Sequence, residues 1–218
     1  NYQVIYDYLA YNIQDCTQDT FFTGIKQLRG GHNLIFLPGK NNVSITKYYQ
    51  IPSSNYDSAV TDTEHAATFR RLFETSVSLR LTGDVPLGVC LSGGLDSSAI
   101  VCILDRLIGK REVELPSASK RLKTFSARYQ NLAYDEGHFI RMVIDHTDVD
   151  PFNVYPSHSS TWQNLTDVIK HQDEPCTRYY VSSQWEVYKL AKQMGVTICL
   201  DGQGADELLA GYDTYYGA

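Results

Sequence analysis

The 218 residues carry 43% hydrophobic and 20% charged side chains, ordinary proportions for a packed chain, so wholesale disorder is excluded. A chain this long buries a core without disulfide or metal staples. The net charge of −6 offers no basic footprint, so neither nucleic acid nor an acidic lipid surface is an expected partner. No apolar run approaches the roughly 18 residues that a membrane helix requires. The chain opens Asn1-Tyr2-Gln3 without Met or a signal-type segment and reads as a piece of a longer polypeptide. Five cysteines without a C-x-x-C pair, and histidines without zinc-type spacing, read as buried free thiols in a reduced, cytoplasmic setting.

In chain order, residues 1–50 read as β structure and turns. Two β-rich runs, 32–37 and 43–49, flank Pro38-Gly39-Lys40-Asn41-Asn42, which is hairpin chemistry. Residues 51–58 are polar and breaker-rich, a linker by composition and the expected domain boundary. The rhythm then changes. Thr61-x-x-Glu64 has capping-box spacing, with Phe69, Leu72, Phe73 and Val77 following at helical intervals until Gly83-Asp84. Residues 85–91 form a short apolar run suited to a strand buried on both faces. Ile100, Ile103, Leu104, Leu107 and Ile108 predict a helix closing at Gly109. A loop over 110–120 leads into a second strand, 122–129. Asp135-Glu136 opens a helix carrying Phe139, Ile140, Val143 and Ile144, with its acids at the positive end. A third strand at 151–155 follows, then helices marked by Trp162, Leu165, Val168 and Ile169 and by Trp185, Tyr188, Ala191 and Met194. Gly195 ends the last of these before a fourth strand at 196–200. The alternation predicts an α/β fold with a parallel sheet, whose ligands bind beyond the carboxyl ends of the strands where strand order reverses.

Two glycine-and-acid loops stand at strand ends. In Ser92-Gly93-Gly94-Leu95-Asp96-Ser97-Ser98 the glycines permit close backbone approach, and the helix that follows presents unpaired N–H groups to an anion. The serine hydroxyls add donors suited to phosphate oxygens. The loop lacks the Lys of a P-loop, and Asp96 repels phosphate. The second loop, Asp201-Gly202-Gln203-Gly204-Ala205-Asp206-Glu207, brings further carboxylates. Carboxylates and phosphates share one crevice only with a divalent cation between them. The residues therefore read as a nucleotide site with Mg²⁺, Asp96 and Asp206 being its metal ligands. Separately, each loop also reads as plain helix capping, as does Glu207, while Tyr134-Asp135-Glu136 at the next strand's exit reads equally as a weaker site candidate and as a helix cap.

The first loop resembles the pyrophosphate-binding S-G-G-x-D-S loop of the N-type ATP pyrophosphatases. With Gly202-Gln203-Gly204-Ala205-Asp206-Glu207-Leu208-Leu209-Ala210-Gly211-Tyr212, the chain resembles the glutamine-hydrolysing asparagine synthetase family. Tyr134-Asp135-Glu136 and Asp173-Glu174-Pro175 are similar to its synthetase segments; Thr23-Gly24-Ile25-Lys26-Gln27-Leu28 and Gly31-His32 are similar to the tail of its glutaminase domain. The resemblance implies an adenine nucleotide alpha hydrolase-like, Rossmann-like PP-loop domain over 65–218. It implies an amidotransferase tail over 1–52 and a linker with the helix start over 53–64. It also implies that ATP and Mg²⁺ activate a carboxylate, most simply aspartate, as an acyl-adenylate that glutamine-derived ammonia opens to an amide, with AMP and pyrophosphate released. Leu91, Ser92, Gly93, Gly94, Asp96, Ser97, Ala127, Asp201 and Gly202 are then the ATP-binding residues, with Gln203 and Asp206 catalytic. Gln203 stands where the family commonly carries Glu, and a carboxamide cannot take a proton. The amino-terminal Cys nucleophile and later family residues are not in this sequence, so the isolated piece is expected to bind ATP but to be inactive. Other acceptors (β-lactam or macrolactam precursors) and a non-catalytic ATP-binding role stay open. The exposed β edge of the amino end is expected to pair with a second copy as a homodimer.

Overall fold

The structure is a computed structural model and describes residues 1–39, 42–51, 59–81, 85–110, 121–129, 132–175 and 180–216. The chain divides into two compact units, residues 1–60 and 61–218. The predicted linker positions 52–58, the helix stop Gly83-Asp84 and the hairpin residues Lys40 and Asn41 lie outside the described residues.

In the first unit, helix α1 (Tyr2–Tyr11) corrects the expectation of β structure throughout residues 1–50. A left-handed cap at Asn12 closes it, with Asn12 N–H donating to Tyr8 O at 2.9 Å and Ile13 N–H to Asp7 O at 3.2 Å. Tyr8, its one buried side chain, meets Phe21 edge-to-face at 5.2 Å. Strands β1 (His32–Leu37) and β2 (Asn42–Lys47) form the expected antiparallel hairpin, in register His32 opposite Lys47.

The second unit opens with α2 (Asp62–Leu79), started by the predicted capping box: Glu64 N–H donates to Thr61 Oγ1 at 3.3 Å and Thr61 N–H to Glu64 Oε2 at 2.9 Å. The remaining elements are β3 (Leu87–Cys90), α3 (Leu95–Gly109), β4 (Leu122–Ala127), α4 (Gly137–Asp145), β5 (Val149–Val154), α5 (His158–Gln172), α6 (Tyr180–Gln193), β6 (Ile198–Leu200) and a short α7 (Ala205–Leu209). Strand cores match the sequence reading, with ends shifted by one to a few residues. Pro151 sits inside β5, which is tolerated because β5 is an edge strand in the order β5-β4-β3-β6.

All pairings in this four-stranded sheet are parallel. One face packs Val89, Leu91 and Leu122 against Val77, Val101, Leu104 and Ile140 of α2, α3 and α4. The other packs Phe125, stacked on Phe152 at 5.6 Å, against Val187 and Ala191 of α6. The chain runs outward from β3 through β4 to β5 and then returns to place β6 on the opposite side of β3. Strand order therefore reverses between β3 and β6, where both glycine loops emerge.

Candidate nucleotide site

The first loop leaves β3 at Leu91, which is 1% exposed; its N–H donates to Phe125 O at 2.8 Å and its carbonyl accepts from Ser126 Oγ at 2.6 Å. A closed set of hydrogen bonds then shapes the turn. Ser97 Oγ accepts from Ser92 N–H at 3.2 Å, shares a 2.9 Å bond with Ser92 Oγ and donates to Gly94 O at 3.2 Å. Gly94 N–H donates to Ser92 Oγ at 3.2 Å. The hydroxyls of Ser92 and Ser97 are thus spent within the loop. The first-turn N–H groups of α3 are not: Gly94 is the N-cap and no side chain caps the helix. Those amides and the dipole of a 15-residue helix form the anion-binding end.

Gly93 has φ +93°, and a Cβ there would fall 3.0 Å from Glu136 O and 3.1 Å from Phe139 Cβ. The loop therefore rests on the first turn of α4. Gly202 supplies the contact between the two loops: a Cβ on it would lie 3.0 Å from Ser97 N and 3.1 Å from Asp96 Cβ. The second loop abuts the amino end of α3 through bare backbone.

Two cavities flank this contact. Leu91, Ser92, Ala127, Asp201 and Gln203 line one of about 240 Å³, completed by Tyr129, Glu136 and the α6 residues Tyr180, Ser183 and Gln184. Asp96, Asp201, Gly202 and Gln203 line a larger one of about 860 Å³, whose other walls are mainly Phe69, Phe73, Leu95, Ile103, Leu208 and Leu209. Asp201 and Gln203 border both. Asp206 borders neither; it lies in the first turn of α7 with its carboxylate against the Cα of Gly211. Among the described residues no three His, Cys, Asp or Glu side chains gather as a metal cage. Glu207 accepts from Tyr212 Oη at 2.9 Å.

Sequence reasoning did not find the α6 wall, whose polar residues punctuate an ordinary amphipathic helix. Gln184 Nε2 donates to Tyr188 Oη at 2.9 Å, and Tyr188 Oη reaches Asp201 Oδ2 at 3.4 Å. Burial, with Cys90 and Asp201 nearby, pushes the Tyr188 phenol up to about 12. The neighbouring Cys199 thiol, burial and Asp201 together push the half-buried Cys90 thiol far above the usual range, whereas Cys16 and Cys102 are exposed, against the expectation of buried thiols. Asp135, read from sequence as an acid serving the helix dipole, does take the Gly137 N–H at the start of α4, and it is also paired with Arg128 at 2.9 Å and accepts from Tyr129 N–H at 2.9 Å. The Arg128 bond and that backbone N–H hold its carboxyl down at about 2. Burial, then the Asp135 charge, raises Glu136 above the ordinary carboxylate range.

Residues 68–218 match the Asparagine synthase family. Over 189 residues the chain is 29% identical to a putative glutamine-hydrolysing asparagine synthetase 2 of Methanocaldococcus jannaschii, covering 87% of this chain and 34% of that protein. It is 30% identical over 208 residues to glutamine-hydrolysing asparagine synthetase 3 of Bacillus subtilis (90% and 32%), and 26% identical over 202 residues to Amidase chyE of Penicillium rubens (90% and 30%). The chain thus spans about a third of the length of these curated relatives. A four-stranded parallel sheet with a separate antiparallel hairpin agrees with an adenine nucleotide alpha hydrolase-like domain. Fold, paired glycine loops and the match over 68–218 converge: the chain belongs to the asparagine synthase family.

Proposed function

We propose that the chain binds ATP at the paired loops and serves as the adenylating part of an amide-forming ligase. The observation that carries this is the contact of Gly202 with the uncapped amino end of α3, which sets two glycine loops around one anion-binding turn at the reversal of strand order. In this reading the phosphates lie along the first-turn amides of α3 and the nucleoside enters the smaller cavity between Leu91 and Ala127. Asp201 and Gln203, bordering both cavities, stand where nucleotide and carboxylate acceptor meet. The acceptor carboxylate attacks the α-phosphorus and pyrophosphate leaves; ammonia derived from glutamine then attacks the acyl carbon of the acyl-adenylate, forming the amide as AMP leaves. The residues orient and stabilise charge more than they move protons, which fits Gln203: it donates and accepts hydrogen bonds but takes no proton.

Of the two predicted ligands, Asp96 fits Mg²⁺, since it borders the larger cavity beside the loop amides where phosphate oxygens would complete an all-oxygen shell; Asp206, its carboxylate against Gly211, borders neither cavity and does not fit as it stands. An ion held by Asp96 would supply positive charge to offset that of the departing pyrophosphate. For the acceptor, aspartate is the first reading. The larger cavity, whose walls are mainly apolar with Arg70, Arg80 and Arg106 among them, favours as a second reading a carboxylate carried on an apolar body. Free Cys90 and Cys199 fit a reduced, cytoplasmic compartment. Titration of the chain with ATP, with and without Mg²⁺, tests the binding half; Mg²⁺-dependent saturation is expected, and absence of binding refutes it. ATP–pyrophosphate exchange in the complete polypeptide, run with aspartate and with aryl or alkyl carboxylates, identifies the acceptor. Tight binding without exchange under any acceptor means a non-catalytic ATP-binding domain.

A further inference from the structure

We infer that the Arg128–Asp135 ion pair is a positioning device for the glycine loop over residues 92–98, acting through the first turn of α4. The inference rests on reading that loop as the ATP phosphate cradle. Arg128 leaves β4 with its N–H donated to Val154 O of β5 at 2.9 Å, so its backbone belongs to the sheet. Its Nε and Nη2 donate to Asp135 Oδ1 at 3.0 Å and Oδ2 at 2.9 Å, a two-point fork that fixes direction as well as distance. Asp135 Oδ1 also accepts from Tyr129 N–H at 2.9 Å. The two side chains are only 17% and 15% exposed.

Beyond the pair, α4 begins at Gly137, and a Cβ there would fall 1.7 Å from Arg128 Nη2. The guanidinium therefore lies directly over the first residue of the helix, which only a bare backbone permits. Glu136, the N-cap of α4, makes no side-chain capping bond; the Asp135 carboxylate takes the backbone N–H of Gly137 in its place, so the helix entry depends on where Asp135 is held. The ion pair holds it from the sheet side. The turn it fixes then presents Glu136 O, Phe139 Cβ and Ile140 Cγ1 at 3.0 to 3.2 Å from where a side chain on Gly93 would begin. Sheet, ion pair, helix turn and loop form one run of direct contacts. Neither Arg128 nor Asp135 borders either cavity, so both act through Glu136 and Gly93.

The test uses the whole 218-residue chain as wild type, D135N, R128K, R128A and G137A, with V168A as a destabilised control whose buried side chain lies in α5. Amide hydrogen exchange is followed without nucleotide at residues 92–95, and affinity for ATP with Mg²⁺ is titrated where each variant is folded. In D135N and R128A, exchange at 92–95 is expected to quicken and the ATP dissociation constant to rise about tenfold, the worth of one lost charge-assisted bond. R128K, which keeps charge without the fork, falls between wild type and R128A. G137A, which displaces the guanidinium, follows D135N. V168A loses thermal stability and changes neither readout. A D135N chain that loses stability but exchanges at 92–95 and binds ATP as wild type does overturns the inference and leaves the pair structural. Should the wild type bind no ATP, the nucleotide reading fails by itself, and the exchange measurement still decides whether the pair orders the loop.

Discussion

Adding one methyl group at Gly93 distinguishes a loop seated on α4 from one that merely passes it. At φ +93° an L side chain costs roughly 1–2 kcal/mol in backbone strain. The new Cβ also falls 3.0 Å from Glu136 O, 3.1 Å from Phe139 Cβ and 3.2 Å from Ile140 Cγ1. Crowding of that kind costs about 1–3 kcal/mol when neighbours cannot move. Moving the loop off α4 relieves part of both, so G93A is expected to lose about 2–3 kcal/mol in urea unfolding. The same movement turns the α3 amides, so ATP affinity falls by about tenfold or more in the folded population. Gly94 supplies the internal comparison: its φ is −65° and its nearest obstacle is Ser92 Oγ at 3.3 Å, so G94A is expected to cost under about 1 kcal/mol. A G93A chain as stable as wild type, or less harmed than G94A, would show that the loop does not rest on α4.

Asp135 gives a pH signature. Its carboxyl is held at about 2 in the folded chain against 3.8 ordinarily, so it stabilises fully above about pH 4 and that contribution is lost as pH falls toward 2. The depression corresponds to at most about 2 kcal/mol, and solvent screening leaves about 1 kcal/mol. The stability gap between wild type and D135N, measured by urea unfolding, is therefore expected to close between pH 5 and about pH 2; a gap unchanged at low pH contradicts the pairing. Ser97→Ala removes the hub of the loop and leaves Ser92 N–H without its partner, while Gly94 O keeps Ser98 N–H, at about 1–3 kcal/mol in the same assay. Leu104, fully buried between α3 and the sheet, is expected to cost about 2–5 kcal/mol as L104A, with ATP affinity of the folded chain unchanged.

Local rules carried most of the fold into the sequence. Thr61 and Glu64 cap α2, apolar runs mark β3 and β4, and loops with paired glycines point to the reversal of strand order. Helix α1 escaped because its apolar side chains Tyr2, Tyr6 and Leu9 are exposed, and Tyr2, Ile5 and Tyr6 carry strand-type propensity; what decides it is the Asn12 cap and the packing of Tyr8 on Phe21. At the site, residues contiguous in the loops were legible, while those delivered by distant elements were not. Gln184 and Ser183 reach the smaller cavity from α6, and that requires knowing which face of α6 meets the end of β4. The Arg128 partner of Asp135 is not legible in the sequence, because an acid before a helix satisfies the dipole whether or not an arginine lies seven residues earlier.

The closed ring of Ser92 and Ser97 has a consequence for how selectivity is distributed. By keeping its hydroxyls for its own architecture, the turn greets a visitor with peptide groups alone, and these are blind to everything about it except negative charge and size. Discrimination among ligands that share a phosphate tail is thereby handed to α6 and the far wall. Evolution is free to rewrite the guest list at Tyr180, Ser183 and Gln184 without touching the hinge that holds the guest.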